Sequence, residues 1–172
     1  CDIAQVKALA LTDDVVEFMA QQLQKFPSAT QKALQFAACI GNQFDLDTLA
    51  LISESTPKET AQALWGALEE GLILPTSQIY KFFQGNTVEL PTDNVNPSYR
   101  FLHDRIQQAA YSLIPETQRL SIHYRIGRLL LGHFTAATQG EHLFDIVGHL
   151  NGSRSTVTDP AERLELAALN LK

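Results

Sequence analysis

The hydrophobic period of this chain changes twice. Up to Gly71 apolar residues recur every three or four positions; Leu72-Ile73-Leu74, Ile79-Tyr80-Lys81-Phe82-Phe83 and Tyr99-Arg100-Phe101-Leu102 are short, β-rich and separated by turn formers; from Asp104 onward the helical spacing returns. Such a pattern excludes both a pure helix bundle and a pure sheet protein, because each period buries its apolar residues on one face of only one kind of element. The fold expected is mainly α, with a small β-hairpin set between helical stretches.

Capping signals divide the first helical stretch. Val15, Phe18, Met19 and Leu23 make an apolar stripe behind Thr12, predicting a helix from Asp13 to about Lys25. Ser28 with Gln31 has the spacing of a capping box, and the helix it opens runs through Ala33, Leu34, Ala37 and Ile40 to Gly41, read as a left-handed stop. Asp45 caps a short helix containing Leu46, Leu49 and Ile52. Thr56-Pro57-Lys58-Glu59 then combines cap, first-turn proline and box glutamate for a helix ending before Gly71, with Ala61, Leu64, Trp65 and Leu68 as its apolar face.

Between Gln84 and Ser98 the residues Gly85-Asn86, Pro91, Asn94, Asn96 and Pro97 suit an exposed loop or hairpin tip. Asp104, with Gln107 as box partner, opens a helix carrying Ile106, Ala109, Ala110 and Leu113 up to Pro115. Glu116 to Phe134 shows a stripe of Leu120, Tyr124, Gly127 and Leu131; Glu141 to Leu150 forms another helix; and Asp159-Pro160-Ala161-Glu162 caps a third. This order of helix, short helix, capped helix, hairpin and strand is that of a winged helix with 72–102 as its wing. The domains expected are an opening linker and helix (1–27), a winged-helix domain (28–114) and the start of an antiparallel helical-repeat region resembling an α-solenoid (115–172). The chain begins at Cys1 and stops within an apolar-periodic run, so it reads as an excerpt of a longer polypeptide.

Charge narrows the partners. The formal net charge is −6, and residues 1–75 carry four lysines against ten carboxylates while residues 76–172 carry nine of each sign. The third helix, where a winged helix would enter a DNA groove, has one base, Lys58, beside Glu59, Glu69 and Glu70. Phosphate neutralisation supplies most of the affinity in that mode, so the charge argues against DNA. No run is long and apolar enough for a membrane span, and no signal peptide is visible, which together suggest a cytoplasmic setting. Cys1 and Cys39 make no disulfide framework, and Cys39 in Phe36-Ala37-Ala38-Cys39-Ile40 reads as a buried thiol. Trp65 and Tyr111 lie on apolar stripes and read as core.

Catalytic and metal signatures are missing. His103, His123, His133, His142 and His149 include no pair of histidines three or four apart and no cysteine neighbour, so no metal site is expected; nor is there a nucleophile elbow, a phosphate-cradling Gly-rich loop or a kinase catalytic loop. The segment is read as non-catalytic. The most specific local feature is Phe101-Leu102-His103-Asp104, which sets an imidazole at a strand-to-helix junction just before a helix N-terminus. Such a junction attracts anions, and His103 there could donate to a phosphate, with the Asp104 carboxylate turned to the amides of its own helix. The alternative is a junction histidine bonded to backbone. Arg100 and Arg105 flank the motif and would either add charge to that site or pair with acids such as Glu69 or Glu70.

Three blocks resemble the region that follows the nucleotide-binding core in the AAA-related signal-transduction ATPases with numerous domains (STAND). They are Leu34-Gln35-Phe36-Ala37-Ala38-Cys39-Ile40-Gly41-Asn42-Gln43-Phe44-Asp45, Ala67-Leu68-Glu69-Glu70-Gly71-Leu72-Ile73, and Tyr99 through Tyr111. More narrowly, the chain is similar to the ATPase module of bacterial, especially cyanobacterial, multi-sensor kinases, in which a serine/threonine kinase domain precedes it and GAF and histidine-kinase domains follow. The resemblance implies a winged helix folding back over ADP held by the preceding core, with a histidine in a hydrophobic-His-Asp motif touching the β-phosphate. Leu102-His103-Asp104 matches that motif with Leu where Met is usual, and the role passes to His103 alone. ATP or ADP with magnesium would belong to the parent protein, since the core that binds them is not in this sequence.

The function expected is therefore a regulatory part of a multidomain signalling ATPase or kinase. Its partners would be the preceding nucleotide-binding core of the same chain and the helical repeats that follow. Two alternatives stand beside it: a DNA-binding regulator using helix 57–70, and a nucleotide-independent scaffold that docks another protein.

Overall fold

The computed structural model describes residues 14–76, 96–133, 139–152, 164 and 167–168. Among them the chain is mainly helical with one small sheet. Residues 14–23 form α1; then come α2 (Ser28–Ile40), β1 (Gln43–Asp45), α3 (Leu46–Ser53), α4 (Pro57–Glu69), β2 (Ile73–Pro75), β3 (Ser98–Phe101), α5 (Asp104–Ser112), α6 (Glu116–His133) and α7 (Gln139–Gly152). No helix among the described residues is long and apolar enough to cross a membrane. The chain divides into two compact units, Cys1–Leu113 and Ile114–Lys172. The expected cap at Thr12, the strand at 79–83 and the helix start at Asp159 lie outside the described residues.

Four cap predictions meet different outcomes. Thr56 and Glu59 form the full reciprocal box: Thr56 Oγ1 accepts from the Glu59 amide at 3.2 Å, and Glu59 Oε2 accepts from the Thr56 amide at 2.9 Å. Asp45 caps α3 through Oδ1, which accepts from the Thr48 amide at 2.8 Å. Ser28 does not cap α2. The residue before that helix is Pro27, with no side-chain cap bond, and Gln31 instead sends its amide across the α1–α2 turn to the carbonyls of Gln24 (2.9 Å) and Phe26 (2.8 Å). A long amide reaches two turn carbonyls left without intrahelical partners, which ties the turn down rather than the helix end. Gly41 ends α2 in an extended conformation open to glycine, φ 155° and ψ −169°, and not in the left-handed helical well.

The sheet is antiparallel in the order β1-β3-β2. The pattern within Gln43-Phe44-Asp45 is too short to announce β1, and Asp45 both ends that strand and caps α3. Pairing sets Phe44 opposite Tyr99, Ile73 opposite Phe101 and Leu74 opposite Arg100. Because side chains alternate across a strand, Phe44, Ile73, Tyr99 and Phe101 face inward together while Arg100 faces out. The Phe44 ring lies 5.9 Å from that of Tyr99 and 5.7 Å from that of Phe101, in tilted pairs that add to simple burial. Over this sheet Leu34 and Ala37 of α2, Leu49 and Ile52 of α3, Leu64 and Ala67 of α4, and Ile106 and Ala109 of α5 complete the core.

Two apolar stripes are rotated from their expected positions. On α4 the buried residues are Thr60, Leu64 and Ala67, and Trp65 is 43% exposed, so Trp65 is not core. Gly66 explains the orientation: a Cβ there would lie 3.3 Å from the Phe26 ring, so α4 turns its smallest residue toward that aromatic and Trp65 is carried outward. On α6 the buried residues are Ile126, Gly127 and Leu130, while Leu120 is 42% exposed. The bare Cα of Gly127 meets Leu150 of α7, and this close approach fixes which face of α6 is covered.

Candidate functional site

The expected site lies where β3 passes into α5. Tyr99 and Phe101 anchor β3 in the core, and the Phe101 amide donates to the carbonyl of Asn42 at 2.9 Å. The next amide, that of Leu102, donates to the carbonyl of Leu72 at 3.0 Å. Both neighbouring strands therefore hold the junction. Leu102 is 39% exposed, and His103 follows with extended backbone (φ −141°, ψ 148°) and an exposed side chain.

The N-cap of α5 is His103 itself, and its side chain makes no cap bond. Asp104 is the first helical residue, so the expectation that its carboxylate caps the helix is corrected. Extended backbone at His103 displaces the cap position by one residue, and its carbonyl accepts from the amides of Ile106 (3.0 Å) and Gln107 (3.4 Å). Gln107, expected as box partner, reaches away from the cap and donates to the carbonyl of Ala38 on α2 at 3.1 Å. That bond fixes the start of α5 to the main core helix. The imidazole is thus carried outward on a rigid mount beside the positive end of a helix, free of the structural duty a cap residue would have.

The flanking arginines diverge. Arg100 is exposed on the outer face of the sheet, opposite Gln43 and Leu74, whereas Arg105 donates to Gln108 Oε1 at 2.8 Å along α5. Cys39 is buried in α2, and Tyr111 is half-buried. Among the described residues no group of three or more His, Cys, Asp or Glu could hold a metal ion.

A second polar arrangement had no signal in the sequence. His123 of α6 and His149 of α7 stand 26 positions apart, yet their Nδ1 atoms are 2.8 Å from one another and their rings stack at 5.1 Å. Burial pushes His123 below its ordinary range, and burial together with the charge of His123 lowers His149 to about 4. A search for histidines three or four apart cannot find a pair that only helix packing assembles.

No family model matches the chain, and no solved structure does. The chain is similar to the Hybrid signal transduction histidine kinase G of Dictyostelium discoideum, 29% identical over 205 residues covering 99% of this chain. The alignment spans 6% of that much longer protein.

Proposed function

We propose that this chain is a non-catalytic regulatory segment of a multidomain signalling kinase, in which a winged helix closes over nucleotide held by a preceding ATPase core. The order α2-β1-α3-α4-β2-β3, with β1 and β2 on either side of β3, supports the winged-helix reading. Likeness to a signal-transduction histidine kinase over nearly the whole chain supports the signalling context. The observation that carries the nucleotide reading is His103: exposed, outside any cap bond, and set at the positive end of α5.

In this reading His103 donates to the terminal phosphate of ADP only in the closed state. A contact made in one state alone is what couples nucleotide to conformation. The helices from α6 onward would begin a repeat region that passes the state to the kinase domains of the parent, with ATP or ADP and magnesium bound in the core. Lys58 is the one base on α4, so the segment would act on protein and nucleotide rather than on DNA.

The test is calorimetric titration of ADP into this chain and into a chain extended upstream through the preceding segment, each with His103 and with His103→Ala. The reading expects binding only by the extended chain, weakened about 10- to 100-fold by the substitution, as for loss of a charge-assisted hydrogen bond. Equal ADP affinity with and without the imidazole refutes it. The exposure of Trp65 on α4 favours a second reading, a docking surface for another protein. There, Trp65→Ala would abolish partner binding and ADP would have no effect.

A further inference from the structure

The α6–α7 hairpin carries a device that the nucleotide reading does not use. Two imidazoles meet through the same ring atom, Nδ1 to Nδ1 at 2.8 Å, with ring planes inclined by 29°. A hydrogen bond between them needs one N–H and one lone pair, so the contact holds a single proton. One added proton turns it into an imidazolium donating to an imidazole, and the bond survives. A second places two N–H groups and two positive charges face to face.

The surroundings make separation the easier response. His149 is 7% exposed, and the adjoining Leu150 presses against Gly127 so closely that a Cβ there would lie 2.7 Å from Leu150 Cγ. The helices have no slack to slide the rings apart while remaining packed. Besides His123, α6 carries the charged and titratable groups Glu116, Arg119, Tyr124, Arg125, Arg128 and His133, and besides His149, α7 carries Glu141, His142 and Asp145. On α6, Arg119 lies one turn before His123 and its Nε donates to the carbonyl of Ile114 at 3.1 Å. On α7, the backbone places Asp145 one turn and His142 two turns before His149.

We propose that the His123–His149 pair is a proton-operated latch: α6 and α7 stay packed while the pair shares one proton, and part when both rings become charged. The sign follows from proton counting. Open helices expose ordinary histidines that charge below about pH 6.5, whereas the packed pair resists charging. The open form therefore binds more protons, and acidification favours it. Each ring that must stay neutral in the packed form raises the opening equilibrium about tenfold per pH unit below that value, so the pair gives about tenfold to a hundredfold per unit. His149 stays uncharged when packed down to about pH 4, which sets the lower end of the window.

The test is amide hydrogen exchange of the whole 172-residue chain at pH 7.5, 6.5 and 5.5, each rate expressed as protection relative to an unstructured amide. Above pH 5 ordinary carboxylates stay charged, so the histidines are isolated. The latch predicts that protection within 116–133 and 139–152 falls tenfold or more between pH 7.5 and 5.5 while that of α2 and α5 holds. His123→Asn, which keeps an amide near the Nδ1 position without a titrating ring, should flatten this dependence. Unchanged protection in the native chain, or an undiminished fall in the variant, overturns the proposal. Should the variant lose protection already at pH 7.5, imidazole nitrogen shifts in the native chain decide instead: two rings charging independently at ordinary values refute the latch, and charging that is depressed and coupled supports it.

Discussion

Asn96 donates its side-chain amide to Asp45 Oδ1 at 2.7 Å across 51 positions of sequence. The same residue accepts the Asp47 amide at 3.1 Å, and the adjoining Pro97 carbonyl accepts the Leu46 amide at 2.9 Å. The approach to β3 therefore completes the cap of α3. Asn96→Ala should destabilise the chain by about 1 kcal/mol, the usual net value of a hydrogen bond. Asn96→Asp should cost more, because it sets a second carboxylate against Asp45. Urea denaturation of the two variants checks the order.

Thr56 and Glu59 make a complete capping box. Thr56→Ala should lower stability by about 1 kcal/mol. Bonds from the Thr56 backbone and hydroxyl hold the Glu59 carboxyl below its usual range. A carboxyl bound more strongly when ionised stabilises the fold above its ordinary pKa and less as pH falls through its folded value. The urea midpoint of the native chain should thus decline more than that of Thr56→Ala on acidification below about pH 4.5.

Gly127→Ala opposes two effects of known size. Alanine gains about 1 kcal/mol of helix propensity over glycine, but its Cβ would lie 2.7 Å from both Cγ and Cδ2 of Leu150 and 3.3 Å from His149 Cβ. Overpacking of this kind costs about 1–3 kcal/mol, so net destabilisation is expected, confined to α6 and α7. Hydrogen exchange resolves it by segment. A stabilised hairpin would show that Leu150 repacks freely.

Trp65 is the single tryptophan and is 43% exposed. Its emission should be red-shifted and open to acrylamide quenching. Trp65→Ala should cost well under the roughly 3–5 kcal/mol expected for emptying a core aromatic position such as Phe44. A blue emission maximum would return Trp65 to the core.

His103→Ala should leave the stability of this chain within about 0.5 kcal/mol of native, as for an exposed side chain with no capping role. Thermal or urea unfolding measures it. A larger loss would mean that the imidazole serves the fold, and a changed ADP affinity in the extended chain could not then be assigned to a phosphate contact.

What the sequence determined by itself is local. The helices at Ser28–Ile40, Leu46–Ser53 and Pro57–Glu69, the caps at Asp45 and Thr56, and the strands at Ile73–Pro75 and Ser98–Phe101 depend on residues a few positions apart, and their spacing shows them to within a residue. The position of His103 at a strand-to-helix junction was legible for the same reason. Tertiary structure decided what local spacing leaves open. The three residues of β1 become a strand because β3, more than 50 positions later, offers them backbone partners. Asp104 yields the cap position to His103 because β3 brings extended backbone one residue further, and Trp65 turns outward because Gly66 lets α4 close on Phe26. The His123–His149 contact exists only where two helices pack. A periodic pattern marks which residues are able to face a neighbour, but which neighbour arrives, and at what rotation, is set by the shapes that fit between them.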